Sequence, residues 1–392
     1  MTSRRLPPVL SINDTTRTLE ALRRRGIDII DLTVSNPTRV GLQYPDDLLT
    51  TFASPAALEY DPQPLGMRTA REAVAGDFAR RGFTVAPDRI ALTASTSEAY
   101  AWLFKLLCDA GDAVLVPRPS YPLFEHLTVL EGIEAQPYRL ESHDAWRIDI
   151  DEIRRVSDSR TRALLVVSPN NPTGSCLDRR DLASIDEFCA ERGLMLIGDE
   201  VFADFVLQTQ PSMASVVEAR HAVACSLGGL SKTVGLPQVK LGWIAFAGSD
   251  DRVTPLMTAF ELIADTYLSV STPVQVALPD LLLRGADVRR QIQRRLAANL
   301  DALSEAVAST PSVSLLRPEA GWSAVLNVPG YRSEEALVIE LLTHDHVLVH
   351  PGYFFDFERE AYLVVSLLVP PDRFQQGIAR VLARASQPGT AS

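Results

Sequence analysis

Two stretches, Ala163-Leu-Leu-Val-Val167 and Leu194-Met-Leu-Ile197, are apolar at every position rather than at every second one. A strand with one wet face alternates apolar and polar side chains, whereas an uninterrupted apolar run must be covered on both faces. These runs belong to a longer alternation. The pattern predicts strands over 89–93, 113–117, 163–168, 194–199, 223–227 and 241–247, with helices over 96–108, 121–130 and 182–192 between them. Short strands alternating with helices imply a mostly parallel sheet sandwiched between helix layers, an α/β architecture. In such sheets ligands bind beyond the carboxyl ends of the strands.

The flanks read differently. A helix over 14–25, opening near Asp14 and closing on an arginine cluster before Gly26, leads into a short strand over 27–34 and the turn Ser35-Asn36-Pro37-Thr38. A further helix is predicted over 67–81. After Thr272-Pro273 long helical patterns (274–308) give way to strands over 314–316, 323–328, 347–350 and 363–368, and helices over 334–342 and 372–385. The expected organisation is an N-terminal arm (1–35), a large domain (36–273) and a smaller α+β C-terminal domain (274–392), with a pocket between the domains.

A length of 392 residues accommodates this division, and 46% hydrophobic with 22% charged residues is ordinary for a globular protein. The net charge of −11 argues against nucleic-acid binding. No apolar run approaches the ~20 residues of a membrane span. The first residues lack the apolar segment of a signal peptide. Cys108, Cys176, Cys189 and Cys225 are scattered without CxxC spacing, so reduced thiols in a cytoplasmic protein, with no zinc site, are the expectation.

Four motifs fall at predicted strand ends. Ser168-Pro-Asn-Asn-Pro-Thr-Gly174 is a rigid turn displaying amide side chains. Gly198-Asp199-Glu200 sets a carboxylate at a strand tip, where it either caps the next segment or pairs with a cation. Thr93-Ala-Ser-Thr-Ser-Glu98 opens a helix with hydroxyls and amides, suited to a phosphate or simply to a cap. Ser231-Lys232 follows an apolar run broken by glycines; burial there would depress the lysine pKa and make it a nucleophilic amine.

Taken together, Asn171-Pro-Thr-Gly174, Asp199-Glu-Val201 and Ser231-Lys-Thr-Val-Gly-Leu-Pro-Gln-Val-Lys-Leu-Gly-Trp243 resemble the fold-type I pyridoxal 5'-phosphate enzymes, specifically the class I/II aminotransferases. The resemblance implies that Lys232 carries the cofactor as an internal aldimine and moves the proton during transfer. It implies that Asp199 pairs with the ring nitrogen, Asn171 bonds the ring oxygen and Tyr121 stacks on the ring. Ser95, Thr96, Ser97, Ser231 and Lys240 would hold the phosphate. Tyr60 would reach the neighbouring subunit's phosphate, implying a homodimer with shared active sites. An amino donor and a 2-oxo acid would be taken in turn.

Three positions depart from the family pattern. Lys240 stands where arginine is usual, exchanging a bidentate fork for a point charge. Phe202 replaces a tyrosine whose hydroxyl donates to the ring oxygen, so the aldimine is expected to stay protonated to higher pH. Phe202→Tyr should therefore lower the midpoint of a spectral titration of the cofactor-loaded protein; an unmoved midpoint refutes this. Val364 aligns with the arginine that clamps the substrate carboxylate, leaving Asn36, Arg39 and His350 as candidates for substrate contact. These departures keep two alternatives open: elimination, decarboxylation or condensation on a non-standard amine, and non-catalytic cofactor binding.

Overall fold

The computed structural model describes residues 3, 5–6, 12–142, 146–208, 213–359 and 361–388; the remainder of the expected N-terminal arm, at 1–2, 4 and 7–11, lies outside them. Helix α1 (Asp14–Arg24) starts where the Asn13 side chain accepts from the Thr16 N–H, and carries Arg23 and Arg24 at its negative end. Of the strand expected over 27–34 only β1 (Ile30–Asp31) forms. Asp31 ends it by turning its carboxylate onto the N–H and hydroxyl of Thr33, at 2.9 and 2.6 Å. Helix α2 (Arg68–Arg80) follows, then β2 (Ile90–Thr93) and α3 (Thr96–Leu107).

The chain continues through β3 (Ala113–Arg118) and α4 (Leu123–Glu131), which begins two residues later than the periodicity suggests because Pro122 occupies its cap. Between 132 and 160 it forms β4 (Glu134–Ser142), β5 (Trp146–Ile148) and α5 (Ile150–Val156), elements that no sequence pattern announces. Then come β6 (Thr161–Val167), α6 (Arg179–Arg192), β7 (Met195–Asp199), β8 (Ala224–Gly229), the single turn α7 (Leu230–Thr233) and β9 (Gly242–Ala247).

Among the described residues these strands make an eight-stranded sheet in the order β2-β9-β8-β7-β6-β3-β4-β5. The central pairs are parallel, while β9 runs against both its neighbours and β5 against β4. Strands β6, β7 and β8 are buried along almost their whole length, as their unbroken apolar sequences require. Helix α3 and helix α8 (Asp250–Tyr267) pack on one face through Trp102, Phe104 and Phe260; α5 and α6 cover the other through Ile153, Ile185 and Phe188.

The long helical pattern after Pro273 resolves into α9 (Thr272–Arg284) and α10 (Ala286–Ala308), separated at Gly285. A Cβ at Gly285 would lie 2.5 Å from Val234 Cβ and 2.6 Å from the Leu281 carbonyl, so the helices can meet there only through glycine. Helix α9 joins the core of α2, Leu92 and Trp243, whereas α10 packs into the C-terminal core. The change of packing partner thus falls at Gly285 rather than at Pro273.

Beyond it lie β10 (Ser314–Leu316), β11 (Ser323–Asn327), α11 (Glu334–His344), β12 (Val347–Leu348), β13 (His350–Pro351), β14 (Tyr362–Ser366) and α12 (Pro371–Ala385). Strands β10-β11-β14-β13 form a small antiparallel sheet, and β12 pairs in parallel with β1. The N-terminal segment is thereby stitched to the C-terminal unit, and the Ser366 N–H donates to the Leu32 carbonyl at 2.7 Å. No helix among the described residues is long and apolar enough to cross a membrane.

Candidate active site

The carboxyl ends of β3, β6, β7 and β8 and the N-terminus of α3 open onto one cavity of about 230 Å³, closed on its far side by the small sheet. Its wall includes Thr96, Tyr121, Asn171, Asp199, Phe202, Lys232, His350 and Val364, residues brought together from across the sequence.

Lys232 sits on α7, the turn that follows the glycines ending β8. Its amine faces two aromatic rings, 5.4 Å from the centroid of Phe202 and 4.8 Å from that of Trp322. Burial outweighs the attraction of Asp199 and lowers its pKa from 10.5 to about 8. The neutral amine, the form able to attack a carbonyl, is therefore populated more than two pH units earlier than in an exposed lysine. Condensation of Lys232 with an added aldehyde should accelerate as pH rises and level off above about 8. A midpoint near the ordinary lysine value would show that the amine is not desolvated.

Asp199 terminates β7. Its Oδ2 accepts from the Tyr100 hydroxyl at 2.7 Å and its Oδ1 from the Val201 N–H at 3.2 Å. Burial raises its pKa, while the Tyr100 and Val201 bonds and the Lys232 charge pull it down. A buried carboxylate oriented by two donors is suited to receive a cation from the cavity. Neighbouring Glu200 faces away and ties the chain down, accepting from Ser215 Oγ, Ser226 Oγ and the Val216 N–H, each at 2.8 Å.

The α3 N-terminus is anchored in the same manner. Ser95 Oγ accepts from the Glu98 N–H at 3.2 Å, and Glu98 in return accepts from the Ala94 N–H and Ser269 Oγ at 2.6 Å. The N–H groups of Thr96 and Ser97, in the first turn, have no intrahelical acceptor and offer an anion site. In the turn after β6, Asn171 Oδ1 accepts from Ser323 Oγ at 3.3 Å. Gly174, with φ of +71°, lets this turn approach the loop leading to Trp322: a Cβ there would fall 2.4 Å from Pro318 Cβ. The Glu319 and Ala320 N–H groups then both donate to the Gly174 carbonyl. Tyr121, half-exposed at the cavity mouth, lies 6.4 Å from Phe355.

Other expected residues stand outside the cavity wall. Ser95 caps α3, Ser97 and Ser231 are half-buried beside it, and Lys240 is exposed in a left-handed conformation with φ of 59°. Tyr60, 78% exposed, lines a separate hollow with Asp61, Gln63 and Trp102. Asn36 caps its own turn by accepting from Thr38, and Arg39 points to solvent. His350 does line the cavity, directly across the strand pair from Val364. It is stacked on Phe354 at 4.7 Å, and burial lowers its pKa to about 4, so at neutral pH it is uncharged and supplies no cation. Tyr100, Ser120 and Trp322 are not apparent as site residues from sequence: each lies inside an apolar stretch or turn, and only its position relative to the cavity reveals it.

The model of the aminotransferase class I and II family matches residues 45–381. The chain belongs to the class I and II aminotransferase family. Members of that family use pyridoxal 5'-phosphate. The aminotransferase is 26% identical over 346 residues to the glutamate-pyruvate aminotransferase AlaA of Escherichia coli, covering 86% of this chain and 85% of that protein. It is 28% identical over 361 residues to the alanine aminotransferase of Mycobacterium tuberculosis, covering 87% and 82%. Among solved structures, an alanine aminotransferase from Pyrococcus furiosus superposes with a TM-score of 0.88 at 25% identity, over 98% of this chain and 99% of that one. A Thermus thermophilus aspartate aminotransferase superposes with a TM-score of 0.85 at 21% identity over 98% and 99%, a likeness of fold. The large sheet with its smaller companion is thus the fold-type I architecture of pyridoxal-phosphate transferases.

Proposed function

We propose that this aminotransferase holds pyridoxal 5'-phosphate in the cavity between its sheets and passes an amino group from an amino-acid donor to a 2-oxo acid at that one site, in alternate half-reactions. The observation that carries the proposal is the placement of Lys232, an amine enclosed by the Phe202 and Trp322 rings in the same cavity wall as Asp199 and Asn171, with burial lowering its pKa. The residues present fit the cofactor. A cationic ring nitrogen would satisfy Asp199, the α3 N-terminus would take the phosphate with Ser95, Thr96, Ser97, Ser231 and Lys240, and Asn171 would meet the ring oxygen beside Tyr121. When bound, the cofactor serves as an electron sink for the carbon that loses its proton.

The protein's own groups then have distinct tasks. Lys232 provides the point of covalent attachment and, once released, the base that moves a proton at the donor carbon. Asp199, held by Tyr100, keeps the ring nitrogen charged. Phe202 and Trp322 exclude water from the amine. The names of the relatives favour alanine or glutamate as donor and pyruvate as acceptor. The exposed Tyr60 fits a role in a neighbouring subunit's site, and hence a homodimer with shared sites.

The reading is tested by mixing the cofactor-loaded protein with single amino acids and no acceptor. Stoichiometric conversion of the aldehyde to the amine form, with one equivalent of 2-oxo acid, is expected. Release of ammonia or carbon dioxide instead would assign lyase chemistry, and an unchanged spectrum with every donor would leave cofactor binding alone.

A further inference from the structure

The cavity has an electrostatic peculiarity. Among the described residues of its wall, Lys232 and Asp199 are the charged groups, and His350 is neutral. Of the arginines nearby in sequence, Arg373 bonds Asp28 through both terminal guanidinium nitrogens, Arg118 lies 3.5 Å from Asp356, and Arg359 is exposed outside the cavity wall. With Lys232 committed to attachment and then, as a neutral amine, to proton transfer, and Asp199 to its pair, the wall keeps no cation for a substrate carboxylate. A substrate carboxylate must then be held by neutral donors, since an anion stripped of water with no partner is strongly disfavoured.

Two such donors stand waiting. Trp322 Nε1 and Ser120 Oγ are buried, in residues only 3% and 4% exposed, and neither has a hydrogen-bond partner among the described residues. Buried polar groups are nearly always paired, so two orphans in one cavity wall point to a ligand that completes them. Of the other wall hydroxyls, Thr33 donates to Asp31, Ser323 to Asn171 and Ser366 to the Val34 carbonyl, while Thr96 belongs to the anion site at the α3 N-terminus and Ser35 is exposed. An indole N–H can only donate, so its partner must be an acceptor. The Trp322 ring lies 4.8 Å from the Lys232 amine, and the carboxylate of an amino acid is one bond from the carbon joined to the reacting nitrogen. Trp322 immediately precedes β11 of the small sheet and lines the cavity on that side.

We propose that Trp322 Nε1–H and Ser120 Oγ–H form a charge-free subsite for the carboxylate common to donor and acceptor. The proposal rests on the amino-transfer reading and adds to it the means by which a 2-oxo acid is recognised. The Phe202 and Phe205 rings, at 5.4 and 5.1 Å, wedge the indole edge-on and fix its direction.

The test compares Trp322→Phe and Ser120→Ala with the parent, each loaded with cofactor. Saturation of the half-reaction is measured with L-alanine against ethylamine and with L-phenylalanine against 2-phenylethylamine. Each variant is expected to weaken binding of the acid about tenfold while leaving its decarboxylated partner within about threefold. Parallel weakening of acid and amine would mean that Trp322 serves packing alone. Unchanged acid binding in both variants, or a parent that prefers the amines, would overturn the subsite. If Trp322→Phe fails to fold, Ser120→Ala carries the comparison. If no donor converts the cofactor, amino transfer itself is refuted, and calorimetric titration with 3-phenylpropanoate still decides whether the two donors bind a carboxylate.

Discussion

Replacing Lys232 by alanine lowers the half-reaction rate by on the order of 10⁴-fold or more, because one substitution removes both the covalent attachment point and the proton-transfer base. The fold survives the change. The folded protein releases the Lys232 proton at about 8 whereas an exposed lysine keeps it to 10.5, so below about 8 the buried ammonium opposes folding, and that cost fades as pH rises through this window. Apo Lys232→Ala should therefore melt no lower than the parent at pH 7, with the difference narrowing toward pH 10. Arginine offers no rescue, since a guanidinium cannot lose its proton. A variant that retained a tenth of the parent rate would show that another amine does the work.

Asp199→Asn is the second large effect. The amide keeps the shape and can still accept from Tyr100, but it cannot stabilise a positive ring nitrogen. The electron-withdrawing power of the cofactor depends on that charge, and the half-reaction should slow by roughly 10²–10³-fold. Cofactor binding should weaken as well, since a buried ion pair becomes a neutral contact. Tyr100→Phe separates positioning from charge. The hydroxyl lowers the Asp199 pKa, so its loss raises that pKa and moves the acidic limb of the pH–rate profile to higher pH, with a modest loss at the plateau. An unshifted limb would show that Tyr100 does not govern the carboxylate.

Much of this site is legible in the amino-acid sequence. Uninterrupted apolar runs mark β6 and β7, and the motifs at their ends contain Asn171 and Asp199, both in the cavity wall. Lys232 is legible because glycines precede it at the end of an apolar strand. What pattern cannot show is depth. Ser97, Ser231 and Lys240 share motifs with cavity residues yet stand outside its wall, because adjacent residues of a turn face different directions. Tyr100 reads as one more apolar position of α3 until its hydroxyl is seen at Asp199. Trp322 belongs to a loop docked by Gly174, a contact between segments more than a hundred residues apart. Strand β1 is shorter than its apolar run because those residues serve the C-terminal core rather than a longer strand pairing. The elements between 132 and 160 leave little trace in the pattern because β4, next to the edge strand β5, is rich in polar residues.

The sequence contains only three lysines, which makes the central claim directly measurable. Lys105 is paired with Glu131 on the surface and Lys240 is exposed, whereas Lys232 alone of the three lines the cavity. Reduction of the cofactor-loaded protein with borohydride, followed by digestion and mass spectrometry, locates the covalently fixed cofactor. The account predicts one pyridoxyl group per chain, on Lys232. A label on Lys105, on Lys240 or on no lysine would contradict it.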